Sequence, residues 1–232
     1  MKQTPASSKL QQALDYQFND HQLLQEALTH RSASSKNNER LEFLGDSILN
    51  FVIASELFHL YPDSAEGDLS RLRSSLVKKE GLVKIAEDLT IGDYLFLGSG
   101  ELKSGGYRRN SILADAVEAV FGAVYLDGGF DACKSLILKL YQKQIHNIPD
   151  PALLKDAKTR LQELLQGRKL AIPKYEVSNV VGKAHQQTFS VACLIDDLAI
   201  ETAGQASSRR KAEQQAAAKA LIEVEAVFKQ KT

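Results

Sequence analysis

Two prolines in three residues, Ile148-Pro149-Asp150-Pro151, divide this chain into parts whose apolar residues repeat with different periods. Proline removes a backbone donor and clashes with the preceding turn, so a helix cannot run through such a stretch. Before the break the spacing is helical nearly throughout. It predicts helices near 6–15, 20–30, 38–60, 64–77, 79–89, 111–127 and 130–146. Leu69, Leu72 and Leu76, then Leu82, Ile85, Ala86 and Leu89, keep that spacing. Ser64 or Asp68 is a candidate cap for one helix and Ser111 for another. After the break a helix at 155–166 gives way to alternation: Tyr175, Val177; Phe189, Val191, Cys193, Ile195; Leu198, Ile200, Thr202. Asp196-Asp197 makes a turn between the last two runs, and an alanine-rich helix follows at 208–228. The expected fold is mainly α, with an all-helical domain at 1–147, a linker at 148–155 and a small α-β-β-β-α domain at 156–228.

No apolar run reads as a membrane span, and the N-terminus lacks an apolar signal-peptide core. Cys133 and Cys193 form neither a disulfide framework nor a zinc pattern, and the five histidines are scattered. A reducing cytoplasm is the simplest compartment. The net charge of zero hides an asymmetry. Residues 1–150 carry 16 Lys+Arg and 20 Asp+Glu (−4), whereas 151–232 carry 13 and 9 (+4). A basic second part hints at a nucleic-acid-binding module.

The run Glu39-Arg40-Leu41-Glu42-Phe43-Leu44-Gly45-Asp46-Ser47 carries three carboxylates. At about 100° per residue, Glu39, Glu42 and Asp46 share roughly a 60° arc. Leu41, Leu44, Ile48, Phe51 and Val52 are expected on the opposite, core-facing side. Like charges at helical neighbour spacing repel, so the stripe needs bulk water, a proton or a cation. Residues 112–126 sharpen the choice. Asp115 and Glu118, at i and i+3, are the only charges in that stretch, amid Ala114, Ala116, Val117, Ala119, Val120 and Phe121. A helix apolar all round is a buried helix, and an unpaired buried carboxylate costs several kcal/mol. Both carboxylates either line a solvent-facing stripe or meet the first set. If the two sets meet, their oxygen-only ligands suit Mg²⁺ or Mn²⁺ and not zinc. Two charges about 4 Å apart repel by roughly 4 kcal/mol at an effective dielectric near 20, so such a cluster holds protons or a divalent cation. Carboxylate-held magnesium commonly serves phosphate-ester hydrolysis.

Residues 98–110, rich in glycine, read as a loop in which Lys103, Arg108 and Arg109 are available to a phosphate backbone; Gly98-x-Gly100 is a weak phosphate-loop signal because no helix is expected directly after it. The last helix begins against the usual preference. Ser207-Ser208 is a good N-cap, yet Arg209, Arg210 and Lys211 follow, where negative charge is favoured. Three cations there suit an external anion gripped together with free N–H groups; the alternative is surface charge screened by water. The Gly182-Lys183-Ala184-His185-Gln186 loop is a second candidate contact.

Taken together, these stretches resemble bacterial ribonuclease III. Glu39 to Ser47 resembles that family's nine-residue signature at every position. Leu28-Thr29-His30-Arg31-Ser32, Glu66-Gly67-Asp68-Leu69 and Leu113-Ala114-Asp115-Ala116-Val117-Glu118-Ala119 resemble its other characteristic stretches, in the same order. Residues 156–226 resemble the double-stranded RNA-binding domain that follows the nuclease domain. The resemblance implies an all-helical nuclease domain and a Mg²⁺-dependent endonuclease cutting double-stranded RNA. Its products would carry 5′-phosphate and 3′-hydroxyl ends with a short 3′ overhang, in processing of ribosomal and other RNA precursors.

By position, Glu42, Asp46, Asp115 and Glu118 match the family's metal-binding and catalytic acids, with Asp46 and Glu118 matching the pair most critical for turnover. Glu39 and Glu66 match secondary acids near the scissile strands. His30 matches a family position expected to pack or cap near a helix end. The family acts as a homodimer through its nuclease domains, and an exposed Phe43 beside the acids fits a partner subunit. In the second domain, Thr159, Gln162 and Glu163 and the loop with His185 would meet the minor grooves of A-form RNA, while Arg209, Arg210 and Lys211 would grip phosphates. Arginines stand where the common domain pattern has its first two lysines, and Lys183 where proline is frequent. The main alternative is a non-cleaving regulator that binds double-stranded RNA; such proteins lack one or more of the four acids, all present here.

Overall fold

The computed structural model describes residues 5–148, 155–183 and 186–230. It divides into two compact units, 1–151 and 152–232. The first unit is helical: α1 (Pro5–Leu14), α2 (His21–Ala27), α3 (Glu39–Leu60), α4 (Glu66–Val77), α5 (Lys79–Asp88), α6 (Ser99–Lys103) and α7 (Asn110–His146), with short 3₁₀ turns at Ile91–Tyr94 and Gly106–Arg108. α3 stops at Leu60, just before Tyr61-Pro62, where proline forbids continuation. α7 breaks at Gly129, whose φ of 82° lies in the left-handed region. That break separates the two helices expected at 111–127 and 130–146.

The core of this unit is the packing of α3 along α7, with α5 and α2 against α7. Leu41, Ile48, Leu49, Val52, Ile53 and Leu57 of α3 are buried, as is nearly every residue of α7 from Ile112 to Val124. At about 100° per residue, α3 presents three faces: a buried arc centred near Gly45 and Leu49, an acidic edge of Glu39, Glu42 and Asp46, and an exposed arc holding Phe43, Phe51 and Phe58. Phe51 therefore departs from its expected place in the core. It is 60% exposed and meets Phe130 edge to face at 5.7 Å. The buried arc is set by where α7 crosses, and Phe51 falls outside it.

α3 also corrects the reading of apolar runs. It has 22 residues, and an 18-residue window in it has a mean hydropathy of 1.3, so it is long and apolar enough to cross a membrane by length and composition. Its acidic edge and its packing on α7 make it a core helix. Two cap assignments fail as well. Ala65 and Arg109 occupy the N-cap positions of α4 and α7, and neither makes a side-chain cap. The expected loop at 98–110 contains the short α6 and a 3₁₀ turn, and α6 opens directly after Gly98.

The second unit has α8 (Ala157–Gly167), β1 (Lys174–Val181), β2 (Thr188–Ile195), β3 (Ile200–Ala206) and α9 (Arg209–Gln230). The strands form one antiparallel sheet in the order β1-β2-β3, joined after β2 by the Asp196–Leu198 turn. One sheet face packs on the two helices, burying Leu161, Leu165, Cys193, Ile195, Ala216, Ala220 and Val224. Asp156 caps α8 by accepting from the Thr159 N–H at 2.9 Å. Ser208 caps α9 as expected, its Oγ accepting from the Lys211 N–H at 3.3 Å.

Candidate functional site

The acids of the first unit meet because two helices touch backbone to backbone. A methyl group on Gly45 of α3 would overlap the carbonyl oxygen of Glu118, and one on Gly122 of α7 would overlap the carbonyl oxygen of Leu41. No side chain but hydrogen fits at either point. This contact sets Glu42, one turn before Gly45, beside Asp115 and Glu118 on α7.

Carboxylate oxygens of Glu42, Asp115 and Glu118 lie within 4.8 Å of one another. No cation pairs with them at ion-pair distance among the described residues; Lys79, His30 and Arg31 act on Asp115 from farther off. The electrostatics follow. Burial, then Asp46, Glu42 and Asp115, push the Glu118 carboxyl up to about 8. Burial and the neighbouring Asp115 raise Glu42, and burial raises Asp115 against the pull of Lys79. The cluster thus holds a proton near neutral pH or takes a cation, and its donors are oxygen only, as a hard divalent ion requires. The buried Tyr141 hydroxyl has no hydrogen-bond partner among the described residues. Burial and the charge of Glu118 hold that phenol protonated.

The remaining expected residues separate. Asp46 stands outside the three-acid group; its carboxylate accepts from Asn50 Nδ2 at 2.8 Å, though its charge still bears on Glu42 and Glu118. Glu39, in the first turn of α3, faces Arg31 at 3.4 Å. Glu66, the first residue of α4, accepts from Ser70 Oγ at 2.7 Å. His30 closes a small turn, its Nδ1 2.8 Å from Ser32 Oγ, which in turn accepts from the Gly98 N–H. Phe43 is 77% exposed. Sequence reasoning passed over Gly45 and Gly122, although paired glycines on two helices read as apolar are the signature of close approach. It also passed over Lys79, which no periodicity marks.

In the second unit Gln162 is exposed and Thr159 partly so. Glu163 is engaged by Lys155 Nζ at 2.8 Å. Arg209 is held by Glu213 at 2.8 Å. Arg210 and Lys211 are exposed and have no ion-pair partner among the described residues. His185 lies outside the described residues.

A helical unit with a carboxylate cluster able to hold a metal ion, followed by an α-β-β-β-α unit with a basic helix start, fits a class of two-domain nucleic-acid enzyme. The comparisons are specific. The Ribonuclease-III-like family model matches residues 20–145 and the double-stranded RNA binding motif matches 157–224. Ribonuclease 3 of Alkalilimnicola ehrlichii is 57% identical over 216 residues, 93% of this chain and 95% of that protein. Ribonuclease 3 of Shewanella amazonensis is 57% identical over 92% and 94%. The crystal structure of the nuclease domain of ribonuclease III from Campylobacter jejuni superposes with a TM-score of 0.60 at 45% identity, covering 63% of this chain and all of that one. A second structure of that domain, described for structural flexibility in a region involved in dimer formation, gives 0.58 at 48% identity, over 58% and 95%. The chain belongs to the ribonuclease III family. It is a ribonuclease whose second unit is a double-stranded RNA-binding domain.

Proposed function

We propose that this protein is an endonuclease that hydrolyses phosphodiesters in double-stranded RNA, leaving 5′-phosphate and 3′-hydroxyl ends with a short 3′ overhang. The observation that carries the reading is the meeting of Glu42, Asp115 and Glu118 within 4.8 Å without a bonded cation. Glu42, Asp46, Asp115 and Glu118 would hold Mg²⁺, with Mn²⁺ as a substitute. When bound, the ion supplies a Lewis acid that draws charge from the phosphoryl oxygens and lowers the pKa of a water. The protein's own residues do the rest. Asp46, exposed beside the cluster, accepts hydrogen bonds at its outer edge. Glu39 and Glu66, at the starts of α3 and α4, accept from hydroxyls of the scissile strands. Arg31 and Lys79 bring positive charge to the phosphates. Water oxygen replaces the 3′ oxygen on phosphorus, and the departing 3′ oxygen leaves as a hydroxyl.

In this reading residues 1–147 are the nuclease domain, 148–155 the linker and 156–228 the RNA-binding domain. The tether raises the local concentration of duplex at the nuclease. Thr159, Gln162, Glu163 and His185 address the minor grooves, and the basic start of α9 addresses the phosphates. Two chains pair through Phe43 and the other exposed aromatics on that side of α3, Phe51 and Phe58, with Phe130, which meets Phe51 edge to face. The setting is the cytoplasm, consistent with two free, buried cysteines, and the role is processing of ribosomal and other RNA precursors.

The test is incubation of the purified protein with long duplex RNA in Mg²⁺, in EDTA, and with Glu118→Gln. Short duplexes with two-ended 3′ overhangs should appear in Mg²⁺ alone and not with the variant. Binding with no cleavage in Mg²⁺ would make the protein a regulator instead.

A further inference from the structure

The start of α9 carries an acid where an RNA-binding surface has least use for one. Glu213 sits in its first turns with its side chain only 12% exposed. Its Oε2 accepts from Lys158 Nζ of α8 at 2.6 Å, and its Oε1 accepts from Arg209 Nε, one turn back, at 2.8 Å. Lys158 Nζ also stands 4.3 Å from the centre of the Tyr175 ring on β1. Beside this node the Lys158 N–H donates to Gln214 Oε1 at 3.2 Å. The first turns of α8 and α9, which are distant in sequence, are therefore tied by one charged contact, Lys158 to Glu213, over an aromatic floor, and by one neutral hydrogen bond, while Arg209 meets the same carboxylate from within α9.

Thr159 and Gln162 stand next to this tie on α8, and Arg210 and Lys211 next to it on α9. Resting on the reading of this unit as an RNA-binding domain, we propose that Glu213 is a positioning residue for RNA binding: through Lys158 it fixes the spacing between the minor-groove helix α8 and the phosphate-gripping start of α9, and through Arg209 it withdraws that arginine from the phosphates, leaving Arg210 and Lys211 to make the contact. A duplex offers its minor groove and phosphates at a fixed separation, so two recognition elements that drift apart lose simultaneous contact. Charge-assisted contacts with little solvent around them hold such a spacing better than exposed pairs do.

The proposal predicts a sign opposite to simple electrostatics. Removing a negative charge next to RNA should tighten binding, and a freed Arg209 should join the phosphates and steepen the salt dependence by about one contact. Positioning requires weaker binding in spite of that extra contact. The full chain is titrated with a 30-base-pair RNA duplex in EDTA by fluorescence anisotropy across a salt series, and the fold is checked by thermal melting. Glu213→Gln should weaken binding about tenfold, even with the slope of log K against log salt steepened by about one contact, which the released Arg209 adds. Lys158→Met combined with Glu213→Gln should be no worse than the weaker-binding single variant, since both remove one tie. Tighter binding, or losses that add, would overturn the proposal.

Arg209→Ala provides a reading independent of Glu213 folding: it should leave the salt slope unchanged, and a slope flattened by one contact would place Arg209 on phosphate and sink the idea. Arg210→Ala with Lys211→Ala tests the underlying reading separately. Unchanged affinity and slope there would overturn phosphate binding at α9 itself, whatever Glu213 does.

Discussion

Two groups of carboxylates in this molecule have opposite surroundings. Glu42, Asp115 and Glu118 are half-buried against one another with cations only at a distance, and Glu118 is pushed up to about 8 by burial and by its acidic neighbours. Glu213 is at least as enclosed, yet Lys158, then Arg209, holds it below the usual carboxylate range. Burial raises all four carboxyls; the sign of the outcome is decided by what sits across from each. A satisfied acid is a structural joint. A cluster left without counter-charge stores repulsion that a divalent ion relieves, and that is the mark of a site.

The sharpest break of this contrast is chemical. Glu118→Gln should lower cleavage of duplex RNA by at least about 10²-fold while RNA affinity in EDTA changes less than twofold; equal loss of both would mean the cluster is structural. Next in size is the crossing that assembles the acids. Gly45→Ala forces a methyl group into the Glu118 carbonyl and should cost about 3 kcal/mol in urea unfolding, with Mg²⁺ dependence of the residual activity shifted to higher concentration. An unaltered urea midpoint would show that the helices part without penalty.

The pH responses of the two regions should then run in opposite directions. Glu118 has a folded pKa above its unfolded value near 4.5. In metal-free protein the folded state binds the extra proton, so stability is greatest below about 4.5 and falls as pH rises toward 8. Discounted for solvent screening, the loss is on the order of 1–2 kcal/mol. It should vanish in Glu118→Gln and be offset by Mg²⁺. Glu213 has a folded pKa below its unfolded value, so its contribution is present above about 4.5 and lost as pH falls through the lowered value. Comparison of melting curves with Glu213→Gln should show a smaller difference, about 0.5–1 kcal/mol, confined to pH above that range. Parallel rather than opposed trends would dissolve the distinction.

Much of this was legible in sequence. Helical and alternating periods located the two units, and the isolated Asp115 and Glu118 in an apolar stretch pointed to carboxyls that the structure finds half-buried beside Glu42. The losses have physical causes. Phe51 fits an apolar helix pattern equally well inside or outside, and only the direction of α7 decides. Arg209 was read with Arg210 and Lys211 as one anion grip, although Glu213, one turn on in the same helix, holds it; what the sequence does not record is that Lys158, from a helix distant in sequence, holds Glu213 as well. The caps expected at Ser64 or Asp68 and at Ser111 failed because Ala65 and Arg109 hold the N-cap positions and neither helix start uses a side chain, a choice no local pattern records.

The glycine contact between α3 and α7 also bears on how the metal arrives. Since Gly45 and Gly122 lock the two backbones by shape, the carboxylates are already assembled before any ion enters, and the chain needs no reordering to receive one. Binding should therefore resemble ion exchange at a rigid resin more than folding around a nucleus. Calorimetry would register proton release and dehydration, with a heat-capacity change close to zero, in place of the large negative value that accompanies newly buried apolar surface.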